Sequence, residues 1–261
     1  MNSPTLGILG GLGPMSSVYF YEMLTEHTAA TADQQHLDIL ISSRASTPDR
    51  TAFILGKSPL DPLPVMETEA QRLQSAGADI IAIPCNTAHC FFEGIRQSVD
   101  IPVISIIRMT AEFCLSLGLK KVGLLATEGT VASGAYAQAL GELGIECAVC
   151  DKEDQATVSE IIYGQIKKGV TPDTDAFLAV ADRLYASGCE RMILGCTELS
   201  LLKRTNGDRL PSTKFIDSLE VLSLCAIRLC EKTPQGFDAE LMRFSVPNIY
   251  AKTKNSRIVK G

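Results

Sequence analysis

Two cysteines sit where a thiol could do acid–base chemistry. Cys85 closes the apolar run Ile80-Ile81-Ala82-Ile83-Pro84, and Cys196 closes Met192-Ile193-Leu194-Gly195. Each is followed by polar residues able to begin a helix, Asn86-Thr87 and Thr197-Glu198. The carboxyl ends of parallel strands are where open α/β sheets bind ligands. A thiol at a helix N-terminus also has its thiolate stabilised by unpaired N–H groups and the helix dipole. Free cysteine has a pKa of about 8.5, so a thiol and a thiolate coexist near neutral pH when their local fields differ modestly. Proton transfer at carbon by two bases needs that pair of states, one sulfur taking a proton from one face and the other returning a proton to the opposite face. With each sulfur roughly 3 to 3.5 Å from the carbon, the two lie about 7 Å apart, beyond disulfide reach. The competing reading makes both of them small buried residues like the other seven cysteines.

The elements that must position these thiols show an internal echo. Gln71-Arg72-Leu73 leads through Gly77 and an apolar run to Cys85, and Asp182-Arg183-Leu184 leads through Gly188 and another apolar run to Cys196. Glycine precedes cysteine by 8 residues each time, and both glycines and both cysteines are 111 residues apart. A second echo pairs Leu6-Gly7-Ile8-Leu9-Gly10 with Val122-Gly123-Leu124-Leu125-Ala126. Short apolar runs alternating with amphipathic stretches indicate βα units around parallel sheets. Strands are predicted over 5–9, 37–42, 80–83, 103–106, 121–126, 145–149, 191–194 and 214–216. The fold class is α/β, built as two pseudo-symmetric α/β domains, each a parallel sheet flanked by helices. The first half is placed at 1–107 and the second at 108–214. An apolar helix over 218–230 is expected to return to the first half, so that 215–232 joins it. Residues 233–261 form a C-terminal extension expected to be poorly ordered in part, its last stretch, 248–261, reading as a basic tail.

A carbanion formed beside an ionised carboxylate needs positive charge or N–H donors close by. Asn86, Thr87 and Thr197 can supply side-chain and backbone donors, or can cap helices. Arg50 follows Pro48-Asp49 beyond the second strand. Its guanidinium suits a carboxylate, and it would equally suit a surface pair with Asp49. In Gly10-Gly11-Leu12-Gly13-Pro14, Pro14 stands near a first helical position, which leaves N–H groups for an anion. Ser16 occupies the place of the third glycine of a dinucleotide fingerprint, so that reading is rejected.

Cys147-Ala148-Val149-Cys150 lies on a strand, where residues three apart face opposite ways, and no partner motif completes a zinc site. His27, His36 and His89 have no metal-ligand spacing. His89, one turn after Cys85, reads as a core or surface histidine that could tune the sulfur, and Glu198 as a cap, a surface residue or the orienter of a donor. No metal is expected.

Of 261 residues, 46% are apolar and 21% charged, a globular composition, and the net charge of −6 without a basic aromatic patch argues against nucleic acid. No window approaches 18 uninterrupted apolar residues, so no membrane span is expected. Nine cysteines, an odd count, and no secretory signal at the start point to reduced thiols in a cytoplasmic setting.

The segments Gly10-Gly11-Leu12-Gly13-Pro14, Pro48-Asp49-Arg50-Thr51, Pro84-Cys85-Asn86-Thr87-Ala88-His89 and Gly195-Cys196-Thr197-Glu198 resemble the cofactor-independent aspartate/glutamate racemase family, above all its aspartate racemase branch. The resemblance runs over roughly residues 5 to 230. It implies an active site in the cleft between the two domains, with Cys85 and Cys196 as the two bases on opposite sides and no cofactor. It makes Arg50 a ligand of the substrate carboxylate. It aligns Lys167 with a substrate-binding lysine, Lys168 being the competing register. Some relatives carry threonine for the first cysteine, and the related arylmalonate decarboxylases keep only the second; both are present here, which favours racemisation. The expected substrate is a small acidic amino acid, aspartate ahead of glutamate, and the expected assembly is a homodimer. Other reactions of the same scaffold, or non-catalytic dicarboxylate binding, are the alternatives.

Overall fold

The computed structural model describes residues 3–247. In chain order it contains β1 (Leu6–Gly10), α1 (Pro14–Glu26), β2 (Ile39–Ser43), α2 (Arg50–Ile54), α3 (Leu63–Ser75), β3 (Ile80–Ala82), α4 (Phe92–Gln97), β4 (Val103–Ile104) and α5 (Ile106–Ser116). The second series is β5 (Lys121–Ala126), α6 (Glu128–Ala132), α7 (Ala135–Gly141), β6 (Glu146–Val149), α8 (Lys152–Ser159), α9 (Thr174–Ala186), β7 (Arg191–Gly195), α10 (Thr197–Thr205), β8 (Phe215–Asp217) and α11 (Ser218–Leu229), followed by α12 (Ala239–Arg243). All eight predicted strands are present. β3 stops at Ala82, short of Ile83, because Pro84 has no N–H to give a ladder. β4 stops at Ile104 because the Ser105 hydroxyl accepts the Arg108 N–H at 3.2 Å and starts α5.

The strands form two four-stranded parallel sheets, ordered β2-β1-β3-β4 and β6-β5-β7-β8. The echo read from the sequence is an echo of structure. Ala78 N–H reaches back to Leu73 O and Gly77 N–H to Gln74 O; Cys189 N–H reaches Leu184 O and Gly188 N–H reaches Tyr185 O. These are the same C-terminal helix stops 111 residues apart, with Gly77 at φ 103° and Gly188 at φ 93°. The next residue repeats too: Asp79 takes the Thr5 N–H on its side chain, and Glu190 takes those of Lys120 and Lys121, so each acid pins the start of the neighbouring central strand.

The sequence-based division put residues 215–232 with the first half. The ladder instead places Phe215–Asp217 in the second sheet, Met192 facing Phe215 just as Ile81 faces Val103. α11 is therefore the counterpart of α5, and it packs on both α5 and α1. One continuous apolar cluster runs between the sheets, joining Leu6, Ile8 and Phe20 to Val122, Leu124 and Leu222. The outer faces are covered separately, by Met66, Ala70 and Leu73 of α3 and by Phe177, Val180 and Leu184 of α9. Cys147 of β6 packs on the inner cluster, and Cys150, just past the end of that strand, packs on the outer one.

Of the C-terminal extension, residues 233–247 are packed. Pro234 bridges to Thr28, the Phe237 ring stacks on His27 at 4.0 Å, and Leu241 and Phe244 are buried. The basic tail over 248–261 lies outside the described residues. Among the described residues, no helix is long and apolar enough to cross a membrane.

A Cβ on Gly77 or Gly188 would meet no atom within 4 Å, so substitution there tests backbone conformation alone. Gly77→Ala and Gly188→Ala should each cost about 1–2 kcal/mol in urea unfolding, and the double variant the sum of the two.

Candidate active site

A sheet ordered 2-1-3-4 sends its connections in opposite directions from its two central strands, and the crevice between their carboxyl ends is where a ligand can enter. In the first sheet that place holds the Gly10–Pro14 turn after β1 and Cys85 after β3; in the second it holds Thr127 after β5 and Cys196 after β7. The two crevices are joined crosswise. The Thr87 hydroxyl, beyond β3, lies 2.9 Å from those of both Thr127 and Thr130, beyond β5. The Thr197 hydroxyl, beyond β7, donates to Ser16 Oγ, beyond β1, at 2.7 Å.

Cys196 is buried and stands immediately before α10. Its thiol donates to Glu198 Oε2 at 2.9 Å, and Glu198 Oε1 forms an ion pair with Lys167 Nζ. A low-pKa thiolate was expected at this helix start. Burial and the Glu198 carboxylate instead raise the Cys196 pKa well above that of a free thiol, outweighing the lowering by the Lys167 charge and the Glu198 backbone N–H. The helix terminus acts as supposed, but a buried like charge 2.9 Å away acts more strongly.

Cys85 is also buried, after Pro84. Its carbonyl accepts His89 Nδ1–H at 2.9 Å, while His89 Nε2 accepts the Ile106 N–H at 3.1 Å. That pairing requires a neutral ring, and burial pushes the His89 pKa down to about 4. His89 is thus a core histidine that ties the Cys85 turn to the start of α5.

Lys167 arrives by an irregular route. α8 continues as a π-helix over Glu160–Gln165 and then as a tight turn over Ile166–Lys168. The wider turn re-aims the residues after it, and of the two adjacent lysines it is Lys167 that meets Glu198. Burial disfavours its charge, but Glu198, Cys196 and Cys85 together outweigh that and raise its pKa. The ammonium also lies 5.8 Å from the centre of the Tyr163 ring, whose hydroxyl meets that of Thr51 at 2.9 Å across the halves. A Cβ on Gly13 would sit 3.0 Å from Glu198 Oε1 and 3.4 Å from Lys167 Nζ, so the N-terminus of α1 borders the same spot.

Arg50 is not paired with Asp49, whose side chain caps α2 by accepting the Ala52 N–H at 2.7 Å. The guanidinium donates to Pro48 O at 3.1 Å and to Leu12 O at 2.7 Å, which places it against the Gly10–Pro14 turn, and its Nε is buried without a partner. The Asn86 side chain turns elsewhere: Nδ2 donates to Ser218 Oγ at 3.1 Å and Oδ1 accepts the Tyr136 hydroxyl at 2.7 Å. Neither Asn86 nor Thr197 caps a helix with its side chain. Together with the Thr87 cluster, these bonds serve to hold the halves in register.

The sequence reading left Glu198 without a definite part and missed Ser16, Tyr163, Thr127 and Thr130. The spacing Cys-Thr-Glu was a visible signal for Glu198; its link to a residue 31 positions upstream was not. A cavity of about 670 Å³ between Phe92, Ile101, Ile107, Ala135 and Ala139 has neither Cys85 nor Cys196 in its lining.

A family model described as Asp/Glu/hydantoin racemase matches residues 9–224. The structure of the Picrophilus torridus aspartate racemase superposes with a TM-score of 0.75 at 29% identity, covering 88% of this chain and 96% of that one. The broad specificity amino-acid racemase RacX of Bacillus subtilis is 28% identical over 202 residues, 75% of this chain and 86% of that protein. A glutamate racemase of Persephonella marina is 31% identical over 157 residues, 59% of this chain and 60% of that enzyme.

Because His89 is held neutral when folded and takes up a proton when unfolded, its contribution to stability is complete above pH 6.5 and is lost as pH falls toward 4. The loss amounts to at most about 3 kcal/mol. Urea midpoints followed from pH 7 to 4 should fall less steeply for His89→Gln than for the parent chain.

Proposed function

Since the chain belongs to the Asp/Glu/hydantoin racemase family, we propose that it inverts the α-carbon of aspartate, with Cys85 and Cys196 as the two bases and no cofactor. The observation that carries this reading is that Cys85 and Cys196 follow the equivalent strands β3 and β7 of two like sheets, whose ends are joined by the hydroxyl contacts of Thr87 with Thr127 and Thr130 and of Thr197 with Ser16. One thiolate removes the α-proton and becomes a thiol, and the thiol on the other side gives its proton to the carbanion and becomes a thiolate. Inversion then leaves the pair with its roles exchanged.

The charge that develops on the α-carbon and its carboxylate needs fixed donors. The first turn of α1, which begins with Pro14 and has no side-chain cap, offers the Met15 and Ser16 N–H groups to one carboxylate. Lys167 and the unpartnered Nε of Arg50 supply charge for the other. A cation from each half suits a dicarboxylate better than a neutral amino acid. Thr87, Thr197 and Asn86 hold the two sides at their spacing and leave backbone N–H groups toward the substrate.

Both thiols are buried, so substrate enters by parting the rim. Of the contacts between the halves, the exposed pair Lys57 to Glu128 is worth about 1 kcal/mol or less. We place the activity in a reducing cytoplasm and the assembly as a homodimer, following the sequence reading. A second reading, action on a broader set of amino acids, is favoured by the match to RacX over most of both chains.

The test is incubation with L-aspartate, L-glutamate and neutral L-amino acids in heavy water without added cofactor, following α-deuterium and chirality. Aspartate should exchange and invert fastest, and Cys85→Ser and Cys196→Ser should each lower inversion by about 10³-fold. Equal rates with neutral amino acids would establish the broader reading. No exchange with any of them, or two cysteine variants that invert normally, would refute the racemase assignment.

A further inference from the structure

Glu198 has no part in a two-cysteine scheme, yet it holds both groups that the second half brings to it. Its Oε2 takes the Cys196 thiol proton in a 2.9 Å bond, its Oε1 pairs with Lys167, and its side chain is only 9% exposed. A carboxylate in such a place could be a plain buttress, for which the lysine alone would suffice. The thiol is the informative partner. Two anions side by side out of water are costly, so while Glu198 is charged the sulfur keeps its proton.

The groups around this carboxylate are few. Lys167 pairs with it from the helix that ends at Lys168 and Cys196 donates to it from its own strand end, while the α1 turn presents backbone at Gly13. Lys167 is the only cation among them. It is also the group that an acidic substrate would draw to itself, its side chain being 31% exposed.

We propose that Glu198 is a positioning residue that stores Cys196 as a thiol in the free enzyme and accepts its proton when the side-chain carboxylate of the bound amino acid draws Lys167 away. This rests on the racemase reading and adds to it a way for substrate to arm its own base. The step conserves charge: the S–H bond breaks and an O–H bond forms, giving a thiolate and a neutral carboxylic acid. The thiolate then takes the α-proton and Cys85 supplies the replacement. When product leaves and Lys167 returns, Glu198 releases its proton to solvent and Cys85 regains one. A neutral amino acid would leave Lys167 on Glu198 and the sulfur unarmed, so the device also selects for acidic substrates.

Two measurements on the full chain test this. Without any amino acid present, alkylation of Cys196 by iodoacetamide is followed against pH by peptide mass spectrometry. Glu198→Gln removes the like charge, so Cys196 should alkylate about tenfold faster near neutral pH, its curve displaced about one unit to lower pH. Glu198→Asp, which withdraws the carboxylate by one methylene, should show a smaller displacement and covers the case in which the Gln variant fails to fold. The same change should slow catalysis although the sulfur has become more reactive. In a Cys85→Ala background one enantiomer of aspartate exchanges its α-proton through Cys196, and in a Cys196→Ala background the other exchanges through Cys85. Glu198→Gln should lower the first exchange by a clearly larger factor than the second. Equal factors, or alkylation no faster in either Glu198 variant than in the parent, would overturn the proposal. Should the parent chain exchange no amino acid at all, the racemase reading falls, while the alkylation curves still decide whether Glu198 holds the Cys196 proton.

Discussion

A four-stranded parallel sheet in the order 2-1-3-4 has one place where its connections part, and everything that concerns function here follows from having that place twice. Chain segments beyond the central strands of the two sheets meet each other. Hydroxyl contacts from Thr87 to Thr127 and Thr130, and from Thr197 to Ser16, fasten β3 of one sheet to β5 of the other and β7 to β1. The apolar layer of α1, α5 and α11 behind them is shared by both halves, so the facing strand ends have a common floor.

On that floor the electrostatics are closely matched. Within a few ångströms the site buries a carboxylate and a thiol and holds a lysine, and burial alone would disfavour the charge on each. The ion pair of Lys167 with Glu198 and the thiol proton of Cys196 resolve this with one positive and one negative charge. The consequence is a sulfur held well on the neutral side of its titration. A site so balanced responds to any new anion, which is the property a catalyst for acidic amino acids would exploit. On the first half, the same economy leaves Arg50 spent on backbone carbonyls except at Nε.

Much of this could be read from the chain before any coordinates. The strands are continuous apolar runs because parallel strands are buried on both faces, and the repeat of glycine and cysteine at one offset told that β3 and β7 are equivalent. The two cysteines could be singled out from that repeat, whereas Arg50 and Lys167 became candidates through the family resemblance. What stayed hidden depends on contacts between distant segments. Glu198 gains its meaning from Lys167, which a π-turn delivers, and no periodicity in 160–168 announces such a turn. The Asn86 side chain could be read as a donor, but not its bonds to Ser218 and Tyr136, which come to it from 132 and 50 residues away. The placing of Phe215–Asp217 was misread because α11, which follows it, does lie against the first half; helix packing and strand pairing point in different directions at that junction.

The claim on which the account stands is that the proton removed and the proton returned belong to different sulfurs on opposite sides of the carbon. L-aspartate labelled with deuterium at the α-carbon, turned over in light water and sampled during the first turnovers, tests it directly. Two bases predict that the first D-aspartate formed carries hydrogen from solvent-exchanged thiol in essentially every molecule. D-aspartate that keeps the original deuterium would mean that one group carries the proton across, and would contradict the account.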